Sequence, residues 1–172
     1  MRTFFLIVLV YVVVLETIFL PSTQCDENLI QQTCKQTPYY NLCIYYIKAD
    51  PRSTNANVAG LGLIMVDVIK AKAIQTLNHI KGLLQRSPNP KVKQALNSCA
   101  GKYNSIIVGD VPQAIEALTK GDPKFAEEGA NDAANEANYC EEGFSGNSPL
   151  TVENKLVHDV STVAAAIARL LL

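Results

Sequence analysis

The chain has no tryptophan and only two histidines in 172 residues. His79 and His158 each stand alone on a helical pattern, where a histidine is more often a packing or surface residue than a base or a ligand. No Cys/His spacing resembles a zinc site, and there is no Gly-x-Ser-x-Gly elbow, phosphate loop or dinucleotide fingerprint. The paired carboxylates Glu127-Glu128 and Glu141-Glu142 are adjacent in sequence. Adjacent helical side chains point about 100° apart, so neither pair makes an acid–base dyad, and both read as solvated helix faces. Nothing here predicts an enzyme, a metal or a cofactor. Charge is also scarce: 18% of residues are Asp, Glu, Lys or Arg, with a net of −1, which argues against nucleic acid as a partner. There is no Asn-x-Ser/Thr sequon, since Asn147-Ser148 is followed by Pro149, and no lipidation or retention motif. The apolar stretch Val163 to Leu172 is interrupted by Arg169 and reads as a core helix, with no membrane anchor expected.

What is present begins with a leader. Arg2 precedes an apolar run from Phe4 to Leu15, broken by Glu16 and followed by Pro21-Ser22-Thr23-Gln24. The run is too short for a membrane span and predicts a secretory signal over 1–25, cut after Gln24 or Cys25. About 150 residues then remain, enough for one domain with a real core. Of the five cysteines, a cut after Cys25 leaves four, an even number, as expected in an oxidising compartment. Cys34 and Cys43 flank the turn signal Thr37-Pro38, which favours a local bridge and leaves Cys99 with Cys140.

The rest is helical pattern. A short arm, 26–55, precedes four long helices over 56–172. The first runs from about Asn57 to Gln85, with Val58, Leu61, Met65, Val68, Ile69, Ala73, Leu77, Ile80 and Leu84 on one stripe. The second starts near Lys91 with Val92, Leu96, Cys99, Tyr103, Ile106 and Ile107, kinks at Gly109-Asp110-Val111-Pro112, and ends at Lys120. The third spans Pro123 to about Glu142. The fourth opens at Pro149, with the stripe Val152, Leu156, Val157, Val160, Val163, Ala164, Ile167 and Leu171. Short loops make this an all-α, antiparallel up-down four-helix bundle with a disulfide-stapled helical hairpin at its N-terminus. Reversal at Gly121-Asp122 would leave Cys99 and Cys140 about one helical turn apart in height, a difference the kink can absorb.

The most informative stretch is Gly121-Asp122-Pro123-Lys124-Phe125. Gly121 suits a left-handed helix stop, Asp122 an N-cap and Pro123 the first helical position. A helix–helix corner explains those three residues but does not require Lys124, a cation with an aromatic neighbour on a stiff turn. Together with Thr33-Cys34-Lys35, Asn41-Leu42-Cys43, Leu63-Ile64-Met65-Val66-Asp67-Val68-Ile69-Lys70-Ala71-Lys72-Ala73 and Ala114-Ile115-Glu116-Ala117-Leu118, the chain resembles the plant invertase and pectin methylesterase inhibitor family. Pro123-Lys124-Phe125 is similar to the Pro-Lys-Phe motif of its invertase-inhibiting branch.

The resemblance implies an inhibitor, secreted to the apoplast and cell wall or delivered to the vacuole, of an acid invertase, a retaining fructosidase with two carboxylates flanking the scissile bond. It implies that Asp122, Pro123, Lys124 and Phe125 bind the target. Lys124 would sit near those carboxylates, Pro123 would fix the approach angle and Phe125 would add apolar contact. It also implies the bridges Cys34–Cys43 and Cys99–Cys140. Pectin methylesterase inhibition, through helix faces, stands as the alternative. A secreted carrier with a small ligand in a hollow bundle is a third reading. Inhibition stronger near pH 5 than pH 7 is expected if Glu127, Glu128, His79 or His158 titrates at the interface.

Overall fold

The computed structural model describes the backbone of residues 22–172 and the side chains of residues 27–172. Residues 1–21 of the expected leader, and the side chain of Cys25, lie outside the described residues. The described residues are all helix, turn and connecting chain.

The arm is a hairpin of α1 (Ser22–Lys35) and α2 (Tyr40–Ala49). Thr37 Oγ1 donates to the Cys34 carbonyl at 2.8 Å, closing the turn, and Cys34 is bonded to Cys43 across Cα atoms 5.6 Å apart. A 3₁₀ turn, Pro51–Asn55, follows, and its Arg52 pairs with Asp50 at 2.6 Å and with Asp67 of the next helix at 2.8 Å. Those contacts tie the arm to the bundle.

The bundle contains α3 (Val58–Arg86), α4 (Pro90–Ser105), a π segment (Ile106–Asp110), α5 (Val111–Lys120), α6 (Pro123–Glu142) and α7 (Thr151–Arg169). Asn57 and Asn89 cap α3 and α4 by accepting backbone N–H groups, and Pro90 occupies the first position of α4. The expected kink takes the form of the π segment. Pro112 has no N–H to offer the Val108 carbonyl, and its ring would crowd that oxygen in a regular α-helix. One wider turn, with the Val111 N–H reaching back to Ile106, carries the chain past the proline.

The stripes pack a core in which Leu61, Met65, Ile69, Ile80, Leu96 and Tyr103 are almost completely buried. Cys99 is bonded to Cys140, joining α4 to α6 at a Cα separation of 4.8 Å. Along α6 the buried face is small: Ala126, Gly129, Ala130, Ala133 and Ala137 let α5 and α7 come close on either side.

Three expectations need correction. The fourth helix begins at Thr151 rather than Pro149. Its stripe is also misplaced at both ends: Val152 is 78% exposed and Leu171 is exposed. The buried position in the first turns belongs to Asn154, because Tyr103 needs an acceptor. The Tyr103 hydroxyl donates to Asn154 Oδ1 at 2.7 Å, and Asn154 Nδ2 donates to Glu141 Oε2 at 2.6 Å. Glu141, which also accepts from the Thr151 hydroxyl, is therefore part of a polar network rather than a solvated face. Glu127 is not a solvated face either; it is only 8% exposed.

Candidate functional site

The corner between α5 and α6 is built from backbone geometry outward. Gly121 sits at φ 78, ψ 34, a left-handed conformation that favours glycine. The N–H groups of Gly121 and Asp122 both return to the Ala117 carbonyl, the latter at 2.8 Å, which closes α5 with a 6→1 bond. Asp122 then caps α6, its Oδ1 3.5 Å from the Phe125 N, and Pro123 takes the first helical position. Gln113, two turns back on α5, donates from Nε2 to the Phe125 carbonyl at 3.3 Å and staples the corner from beneath. Helix end, cap, proline and staple together leave the backbone little freedom.

The side chains divide into those that hold the corner and those that leave it. Asp122 and Pro123 serve the backbone. Lys124 is 61% exposed and Phe125 54% exposed. An open groove of ≈ 460 Å³ runs beside them, lined by Gln113, Glu116, Ala117, Lys120, Asp122 and Phe125. Lys124 stands at the second position of α6, where the positive end of the helix dipole disfavours a cation by a few tenths to about 1 kcal/mol. A glutamate there would suit the helix better, so the lysine breaks a local rule at an exposed corner.

Two carboxylates moderate that cost. Glu127 Oε2 lies 3.6 Å from Lys124 Nζ, and Glu128 Oε1 lies 3.9 Å from it. Glu127 is held by Arg169 at the end of α7, whose Nε and Nη2 both donate to Glu127 Oε1 at 2.9 and 2.6 Å. The Arg169 guanidinium keeps the Glu127 carboxyl below the usual carboxylate range, against the opposing effect of burial. The pair with Arg169 thus works against protonation of Glu127 as pH falls. His79 Nδ1 pairs with Glu153 Oε1 at 2.7 Å in the first turn of α7, the opposite end of the bundle from Lys124. His158 lies beside Asp159 at 3.1 Å, farther along α7.

The four residues singled out from sequence thus share one corner, Lys124 and Phe125 facing solvent and Asp122 and Pro123 shaping the turn. Sequence reasoning missed the Glu127–Arg169 pair. Its only signal was an arginine inside an apolar C-terminal stretch, and the partner lies 42 residues away.

A family model described as plant invertase/pectin methylesterase inhibitor matches residues 28–167. The chain belongs to this family. It is 46% identical over 142 residues to cell wall / vacuolar inhibitor of fructosidase 1 of Arabidopsis thaliana, covering 83% of this chain and 68% of that protein. It is 32% identical over 126 residues to a pectinesterase inhibitor of Actinidia deliciosa, covering 73% and 68%. Among solved structures, a mutant form of a pectin methylesterase inhibitor from Arabidopsis superposes with a TM-score of 0.69 at 24% identity, covering 79% of this chain and 92% of that one. At that identity the superposition speaks for the fold alone.

Proposed function

We propose that this protein is a secreted inhibitor of an acid invertase, a β-fructofuranosidase of the cell wall or vacuole, and that it closes the substrate cleft with the Pro123-Lys124-Phe125 corner. The observation that carries the reading is Lys124: a solvated cation at the unfavourable end of a helix, on a rigid corner that would form without it. A retaining glycosidase presents two carboxylates at the point of cleavage, and an ammonium on a preformed turn complements them with little ordering cost. The 46% identity to an inhibitor of fructosidase supports the same target class. The 32% identity to a pectinesterase inhibitor keeps pectin methylesterase as the second target to test. In this reading residues 1–25 are the leader, 26–55 the arm and 56–172 the bundle, and the protein acts as an inhibitor with no chemistry of its own.

The test is inhibition of purified acid invertases and pectin methylesterases by wild type, Lys124→Ala and Lys124→Glu. Truncating one partner of a desolvated charge pair costs about 2–5 kcal/mol of binding, tens- to thousands-fold. Lys124→Glu sets like charges together and weakens invertase inhibition further. Melting temperatures stay near wild type, because Gly121, Asp122 and Pro123 still form the corner. A folded Lys124→Glu protein that inhibits invertase as wild type does would reject the mechanism.

A further inference from the structure

We propose that Arg169, at the far end of the chain from the leader, is a positioning residue for Lys124: by engaging Glu127 it keeps Lys124 from being captured by its own helix. The inference rests on the invertase-inhibitor reading above.

Glu127 is the point where α6 and α7 meet the corner. Its side chain is almost buried, and a buried carboxylate needs donors. Two cations are within reach. Arg169 takes one oxygen completely, with two N–H groups on Oε1 at 2.6 and 2.9 Å. Lys124 stands 3.6 Å from Oε2, beyond the range of a good N–H···O bond. Lys124 is therefore ion-paired with the carboxylate without a close hydrogen bond, and most of its side chain remains exposed for another partner. The spacing explains why this arrangement needs help. Lys124 and Glu127 are three apart on one helix face, so one rotamer change would bring them into a charge-assisted hydrogen bond. Without Arg169, Glu127 would be a nearly buried anion with Lys124 as its nearest cation. The lysine would fold down onto α6 and its charge would be spent inside the inhibitor. Glu128, at 3.9 Å and more exposed, competes only weakly.

The geometry separates this role from two simpler ones. Arg169 is itself largely exposed, so it could touch the target directly, or it could only brace α7 against α6. A direct contact would be lost in any Arg169 variant whatever stands at 127. A brace would show as a loss of melting temperature. Positioning through Glu127 makes a different prediction: removing the carboxylate should undo the effect of removing the arginine.

The experiment measures invertase inhibition constants for Arg169→Gln, Glu127→Gln, the double variant and Arg169→Lys, with Lys124→Glu as the control and melting curves for all. Arg169→Gln is expected to weaken inhibition about two- to fivefold, the upper part of the scale of a surface ion pair. Glu127→Gln alone should tighten it, the double variant should return to wild type or better, and Arg169→Lys should retain most of it. A loss in Arg169→Gln that persists in the double variant overturns the inference in favour of direct contact. So does unchanged inhibition by folded Arg169→Gln while Lys124→Glu is impaired. Should Arg169→Gln fail to fold, Glu127→Gln carries the test: unchanged or weaker inhibition overturns the inference. A silent Lys124→Glu overturns both this inference and the target reading, which distinguishes that failure from failure of the positioning role alone.

Discussion

Two helical glycines should respond to alanine with opposite sign. Gly101 lies in α4 with nothing within 4 Å of where a Cβ would stand. Alanine there gains helix propensity at no steric cost, about 1 kcal/mol. Gly129 lies in α6 where it crosses the π segment and the start of α5. A Cβ at that position would stand 2.8 Å from the Asp110 carbonyl oxygen, 3.2 Å from the Ala114 nitrogen and 3.3 Å from the Ala114 Cβ. The two nearest of these are backbone atoms, so no side-chain rotation relieves the overlap, and α6 must move away from α5. Overpacking of that kind costs about 1–3 kcal/mol and outweighs the propensity gain. Net of the propensity gain, and at roughly 3 °C per kcal/mol for a domain of this size, Gly129→Ala should melt up to about 6 °C lower and Gly101→Ala about 3 °C higher. The shift also reaches the corner, because Phe125 is one helical turn before Gly129 and Gln113 bonds it from α5. Gly129→Ala should therefore weaken inhibition while most of the protein remains folded at assay temperature. Calorimetry and inhibition assays on both variants decide the matter. A Gly129→Ala protein that melts at or above wild type would show that the helices have slack at this crossing and would refute the reasoning.

Asp110 is the group to watch in pH-dependent melting. Burial and the charges of Asp132 and Glu136 push its carboxyl up to about 6 from an ordinary 3.8. The folded state then binds its proton more tightly than the unfolded chain does, so stability from this group is full below about pH 4 and is lost as pH rises through 6. Water reaches part of the site, so the loss is on the order of 1 kcal/mol, and Asp110→Asn should flatten the melting profile across pH 4–6; a profile with the same slope in that variant would refute the assignment. The disulfides should differ in worth. Cys99–Cys140 closes a separation of 41 residues and Cys34–Cys43 one of 9, so replacing each pair with serine should cost about 4 and about 3 kcal/mol respectively, read as the order of their melting temperatures.

The parts of the fold that were legible in sequence are those written in local patterns. The apolar spacing of Leu61, Met65, Ile69, Ala73 and Ile80 is enough to define α3 and its buried face. Asn89-Pro90 and Gly121-Asp122-Pro123 mark helix boundaries because capping is local chemistry. Pro112 announced a disturbance, but whether it becomes a sharp kink or a π turn depends on what packs around it. The two misplaced polar residues share one cause. Asn154 is buried and Val152 exposed because Tyr103, 51 residues away, requires an acceptor. Glu127 is buried because Arg169 meets it from another helix. At both places a polar residue goes inside to satisfy a distant partner, and spacing along one helix carries no trace of that partner. At the corner the turn was readable from sequence, while the Glu127–Arg169 pair beside Lys124 was not.

That division bears on how one bundle can serve relatives named for different target enzymes. Gly121, Asp122, Pro123 and Gln113 fix the corner through backbone conformation, a cap and a hydrogen bond to a carbonyl, none of which depends on the side chain at 124. The buried seam of alanines and Gly129 sets how closely α6 lies against its neighbours, again without reference to 124. Lys124 is therefore nearly uncoupled from stability, and its small electrostatic cost at the helix start falls on the free inhibitor whether or not a partner is present. A residue placed against local preference, and only loosely paired with Glu127 at 3.6 Å and Glu128 at 3.9 Å, gains little in folding that would explain it. The rigid corner gives such a side chain a defined direction, and exposure leaves its charge available. Under the proposed function, changing the side chain would alter what the corner recognises while leaving the bundle intact, so the sequence at 124 and 125 should discriminate among target enzymes more sharply than the shape of the helices that carry it.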